Sequence, residues 1–210
     1  MKKPPWFVLA VLAVAVGVGV GLMIRHDRGG SPSGHAAAAA PAPSSSGAAM
    51  DTSGFRVLVP SIETDAPVIP EGATGPGGGA LTVPTSVHEV GWWDGIWQSP
   101  SGTVHEKVAK PGQPGVALLA GHIDSAAQGR GVFYRLRQAR PGAVVTVIEH
   151  GTVTRWKVTH VQVVLKSALP AALFVDTGPP QLALVSCGGP FDSATGHYLD
   201  NVIAWATPAT

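Results

Sequence analysis

Apolar positions along the chain fall into short runs bounded by Gly and Pro rather than into a helical repeat. Phe55–Val59 is such a run, closed by Pro60. Ala143–Glu149 is rich in valine, breaks at His150-Gly151 and resumes as Thr152–Leu165 with β-branched residues throughout, so the pattern predicts a hairpin in which Gly151 takes a positive φ. Two further runs, Gly115–Ala120 and Leu182–Cys187, read as strands, and Val202–Ala206 reads as the closing one. Many strands joined by Gly/Pro turns predict a mainly β domain, a barrel or a sandwich, with short helices near Phe133–Gln138 and Pro170–Phe174.

The first quarter of the chain has a different pattern. Residues 1–5 are a polar stub, and Trp6–Ile24 contains no charge and matches the ~20 residues that cross a bilayer as a helix. That run is longer than the ~7–15 residues of a signal-peptide core, which favours an uncleaved transmembrane anchor over a cleaved leader ending in the small residues Ala36–Ala40. Lys2 and Lys3 before the run and Arg25 and Arg28 after it balance, so charge does not set orientation. Residues 25–54 are Gly, Ser, Pro and Ala with almost nothing large to bury, the composition of an extended tether. The remaining 55–207 are expected to form one domain, since about 150 residues suffice for a sizeable core.

Composition narrows the chemistry. A net charge of +1 with only 13% charged residues offers no basic face for nucleic acid. A single cysteine rules out a disulfide within the chain, so packing must hold the domain. Gly77-Gly78-Gly79 lacks the Lys-Ser/Thr of a phosphate loop and reads as a turn.

That cysteine, Cys187, ends an apolar strand and is followed by Gly188-Gly189, a placement that presents sulfur where a carbonyl can approach. The plain alternative is an inert buried thiol. The strand Gly115–Ala120 likewise ends in Gly121-His122-Ile123-Asp124. If the two strands are parallel neighbours, imidazole and thiol emerge together, with His122 stabilising a thiolate and giving a proton to a leaving amine.

Several ordered blocks carry a resemblance. Val90-Gly91-Trp92-Trp93, Pro111–Gly115, Gly121-His122-Ile123-Asp124-Ser125, Gly131–Leu136, Val185–Asp192 and Gly196–Asn201 together resemble the class F sortases of actinobacteria, over roughly Phe55 to Thr207. The resemblance implies an eight-stranded sortase β-barrel with the domain outside the cell, held by a single-pass anchor in the cell membrane that leaves residues 1–5 as a cytoplasmic stub. It implies a cysteine transpeptidase with no cofactor and no bound metal. Cys187 would attack an LPxTG-type sorting signal at the C-terminus of a surface protein, and the acyl group would pass to an amine such as a peptidoglycan precursor, or to water. His122 and Cys187 fall on the catalytic positions.

The family's third group is an arginine on the strand after the cysteine, and here the chain departs. The arginine is expected near Leu199, yet no Arg or Lys follows Lys166. Arg130, Arg135, Arg137, Arg140 and Arg155 remain, and Arg135 has the edge because it lies in the block soon after His122. The departure motivates a rival reading, a catalytically weak sortase-like domain that binds sorting peptides. A zinc site drawn from His122, Asp192 and His197 is a weaker third, because no close Cys or His pair of structural-zinc spacing is present. Asp124 is expected to be a solvent-exposed carboxylate rather than a residue that orients His122. Trp92, Trp93 and Trp97 are expected in the core rather than along a peptide groove.

Overall fold

The computed structural model describes residues 51–71, 83–94 and 109–210, with the backbone of four further two-residue strands, Ala73–Thr74, Ala80–Leu81, Trp97–Gln98 and Val104–His105. The expected membrane span, most of the tether, Gly77–Gly79 and the side chain of Trp97 lie outside the described residues. Among the described residues, no helix is long and apolar enough to cross a membrane.

Eight strands close into a barrel: β1 (Phe55–Val59), β2 (Thr64–Glu71), β3 (Val90–Trp93), β4 (Val116–Gly121), β5 (Val144–Glu149), β6 (Thr152–Leu165), β7 (Gln181–Asp192) and β8 (His197–Pro208). Around the barrel they run β1-β5-β6-β8-β7-β4-β3-β2. All neighbours are antiparallel except β2 with β3 and β4 with β7. Closure leaves no barrel strand with an unpaired edge.

The predicted hairpin is β5–β6. Glu149 pairs with Thr152, and both His150 (φ 45°) and Gly151 (φ 91°) are left-handed, as a two-residue type I′ turn requires. The two short helices appear as single 3-10 turns, Leu136–Gln138 and Ala171–Phe174. Strand β2 was not evident from the chain pattern because Pro67 and Pro70 interrupt it. Both prolines are exposed, while Thr64, Ala66 and Val68 alternate inward.

The unbroken apolar runs of β4 and β7 follow from burial on both faces. Leu182 and Leu184 of β7, with Ala117 and Leu119 of β4, point into the barrel core beside Val57 and Val202. The intervening Ala183 and Val185, with Leu118 of β4 and Ile203 of β8, face outward and are covered by Leu173 and Phe174. The 3-10 turn Ala171–Phe174 therefore lies over the outer face of β4, β7 and β8.

Candidate active site

The parallel pairing of β4 with β7 runs in register from Val116 opposite Gln181 to Ala120 opposite Val185. Two residues further along each chain stand His122 and Cys187. Neighbouring strands are about 4.8 Å apart and alternate residues share a face, so both side chains are in step with the outward set Leu118, Ala183 and Val185. The continuous apolar burial ends at this point: Cys187 and His122 are both only half-buried.

Cys187 does not sit at a strand end or a sheet edge. β7 continues through Gly188-Gly189 to Asp192, paired with β8, and its register shifts between Gly188 and Phe191. The two glycines accommodate β8. A Cβ at Gly188 would lie 2.6 Å from Val202 Cγ2, and one at Gly189, whose φ is +74°, would lie 2.0 Å from Asp200 Oδ2.

His122 is held from several directions. Its carbonyl accepts from Phe133 N–H (3.1 Å), and the next carbonyl, of Ile123, accepts from Gly131 N–H (2.8 Å). Gly131 leaves no room for a side chain, because a Cβ there would be 2.3 Å from His122 O. The imidazole Nε2 lies 2.7 Å from the carbonyl of Pro84. A carbonyl only accepts, so Nε2 carries the proton and donates, and Nδ1 is the nitrogen left for exchange. The Pro84 segment is itself clamped: Gln128 bonds Val87 N–H and Thr85 O, and Val132 N–H donates to Val87 O.

Cys187 borders a cavity of ≈ 370 Å³ together with Asp124, Tyr134, Arg137 and Tyr198. Tyr198 of β8 donates its hydroxyl to Asp124 Oδ2 at 2.7 Å, tying the segment after His122 to the strand beside Cys187. Asp124 is thus neither a free surface carboxylate nor a partner of His122. The hydrogen bond to Asp124, then burial, then the charges of Asp124 and of the neighbouring Tyr134 and Cys187, push the Tyr198 phenol up to about 12. Asp192, by contrast, lies in the β7–β8 turn, where Ala194 N–H and the Thr195 hydroxyl hold its carboxyl below the usual value.

Arg135 is not brought to Cys187. Its guanidinium pairs with Glu63, and it lines a separate cavity with Asp65, His88 and Arg130. Arg137, two residues on, is the arginine that borders the cavity of Cys187. Leu199 is 46% exposed on β8, and the residue paired with Cys187 across the β7–β8 ladder is Asn201. Asn201 was missed from the sequence because its position opposite Cys187 depends on the irregular β7–β8 register. No group of three His, Cys, Asp or Glu that could hold a metal occurs among the described residues. Trp93 is buried edge-on to Phe174 at 5.3 Å, and half-buried Trp92 donates Nε1–H to Ala109 O (3.3 Å) beneath the Lys110 ammonium.

The frame is a closed, mainly β barrel in which Cys187 lies on one of two parallel neighbouring strands and His122 directly follows the other. The sortase domain family matches residues 57–209, more than half of the chain, and the chain belongs to the sortase family. Among solved structures it is similar in fold to sortase A from Corynebacterium diphtheriae (16% identity, TM-score 0.54, covering 74% of this chain and 60% of that one). It is likewise similar to sortase C-1 from Actinomyces oris (18%, 0.54, 74% and 73%). A third is a sortase D5 transpeptidase from Clostridium perfringens (14%, 0.52, 75% and 79%). No curated protein matches in sequence.

Proposed function

We propose that this chain is a membrane-anchored cysteine transpeptidase of the class F sortase type, acting outside the cell on LPxTG-type sorting signals. The observation that supports the reading is the parallel β4–β7 register, which runs to Ala120 opposite Val185, two residues before His122 on one chain segment and Cys187 on the other. Trp6–Ile24, of spanning length, would hold the enzyme in the cell membrane, with residues 25–54 as the tether. The class F subtype rests on the blocks Gly121–Ser125, Val185–Asp192 and Gly196–Asn201.

The chemistry follows from the two side chains. Sulfur attacks the carbonyl carbon of the scissile peptide bond, the C–N bond breaks, and a thioester to Cys187 forms. Nδ1 of His122 takes the proton of the Cys187 thiol and passes it to the departing amine, while Nε2–H remains bonded to Pro84 O. An incoming amine then attacks the thioester and returns its proton to the imidazole, and the thiol is released. Water in place of the amine gives hydrolysis.

The second reading, a binding-only sortase-like domain, is motivated by Leu199 and by the absence of any Arg or Lys after Lys166. The test is turnover by the full-length chain in detergent of a panel of LPxTG-type peptides with a glycine-based amine. Transpeptidation product that disappears in Cys187→Ala supports the enzyme. Saturable peptide binding without product, unchanged in Cys187→Ala, supports the binder.

A further inference from the structure

Resting on that proposed function, we infer that the side-chain amide of Asn201 is the group that receives the negative charge on the carbonyl oxygen when Cys187 attacks. Four observations converge on it. First, Cys187 and Asn201 are direct partners in the antiparallel β7–β8 ladder. Directly opposed residues have Cβ atoms about 4.5–5.5 Å apart and side chains on one face, so an amide there reaches the surroundings of a neighbouring thioester. Second, Asn201 is in step with outward-facing Ile203 and Trp205, whereas its neighbour Val202 points into the barrel. It therefore shares the face of Cys187 and His122.

Third, Asn201 is available. It is half-buried, and among the described residues its carboxamide has no hydrogen-bond partner. Its NH₂ group offers two donors, which is what a developing oxyanion needs. Fourth, the competitors are engaged or displaced. Arg135 is paired with Glu63. The Tyr198 hydroxyl donates to Asp124. Asp200 is an acceptor and lies over Gly189. Arg137 borders the cavity from the 3-10 turn Leu136–Gln138, with no ladder partnership to Cys187.

The assignment makes this a site in which a neutral amide donor on β8 serves the oxyanion. Cys187 and Asn201 then come from the adjacent strands β7 and β8, and His122 from the residue that directly follows β4. No bond to Asn201 forms or breaks; it donates a hydrogen bond while the carbonyl oxygen carries charge and retains the proton throughout.

The test measures kcat and KM of the full-length chain in detergent with the LPxTG-type peptide panel, for the wild type and for Asn201→Ala, Asn201→Asp and Arg137→Ala. Loss of one oxyanion donor reduces turnover by about 10²–10³-fold. Asn201→Ala is expected to lower kcat on that scale with KM little changed, and Asn201→Asp, of the same size but without a donor, at least as much. Arg137→Ala, at the wall of the same cavity as Cys187, is expected to lose less turnover than Asn201→Ala, and melting curves report whether each variant is folded. Wild-type turnover retained in folded Asn201→Ala and Asn201→Asp overturns the assignment, as does a loss carried by Arg137→Ala in their place. A wild type that yields no product with any peptide overturns the transpeptidase reading itself, and the assignment with it.

Discussion

The two faces of β4 and β7 are built from alternating residues of the same strands, yet they do different work. Inward, Leu182, Leu184, Ala117 and Leu119 are fully buried in the barrel core. Outward, the sequence of residues begins the same way, with Leu118, Ala183 and Val185 sealed beneath Leu173 and Phe174, and then changes. Past Ala120, which is also buried, that face reaches His122 just beyond the end of β4, and past Val185 it reaches Cys187 on β7, both half-buried. The period-2 geometry of a strand thus lets one segment provide rigidity on one side and half-buried polar groups on the other, and under the proposed function the core side fixes the register of the reactive pair.

Substitutions on each face separate the two roles. Leu184→Ala removes a fully buried side chain from the barrel interior and is expected to cost about 2–5 kcal/mol in denaturant unfolding. The surviving folded molecules should keep their activity per active site. Gly131→Ala acts from the other side: the new Cβ meets the backbone of His122, which cannot rotate away. It is expected to cost about 1–3 kcal/mol and, unlike Leu184→Ala, to lower kcat of the folded fraction. Equal effects of the two variants on activity per folded molecule would break the distinction.

Tyr198→Phe is expected to cost about 1 kcal/mol, the usual worth of one hydrogen bond. Its pH dependence has a definite sign. The folded phenol ionises near 12 and the free one near 10.0, so the stabilisation is present below pH 10.0 and is lost as pH rises through about 12. Ultraviolet titration should show one late-titrating tyrosine in the wild type, shifted toward the ordinary value in Asp124→Asn. The smallest effect belongs to Asp192→Ala in the exposed β7–β8 turn. Because that carboxyl is held below its usual value, the difference from the wild type should be present at neutral pH and vanish as pH falls through the carboxylate range.

Much of the frame was legible because the hairpin and the apolar runs follow local rules. Glu149-His150-Gly151-Thr152 carries the turn chemistry between two β-branched stretches, and Gly115–Ala120 and Leu182–Cys187 are apolar enough to be strands in almost any setting. That the strands leading to Cys187 and His122 be parallel neighbours was a condition on the sequence reading, and the β4–β7 pairing meets it. What was not legible depends on partners far along the chain. β8 reaches back to His197, although His197-Tyr198-Leu199-Asp200-Asn201 shows no apolar stripe, because pairing with β7 and β6 holds it. The glycines after Cys187 read as openings for substrate and instead make room for Val202 and Asp200. Arg135 lay near His122 in sequence but turns toward Glu63, and no local signal marks that ion pair.

The central claim is that Cys187 and His122 act as one unit across the β4–β7 pair. Intact-mass and peptide-mapping spectrometry of the full-length chain, quenched during reaction with an LPxTG-type peptide, tests it most directly. The account predicts a thioacyl adduct on the peptide containing Cys187, absent in Cys187→Ala and formed about 10²–10⁴-fold more slowly in folded His122→Ala. An adduct that maps to another residue, or one that forms at the wild-type rate without the imidazole, would contradict it.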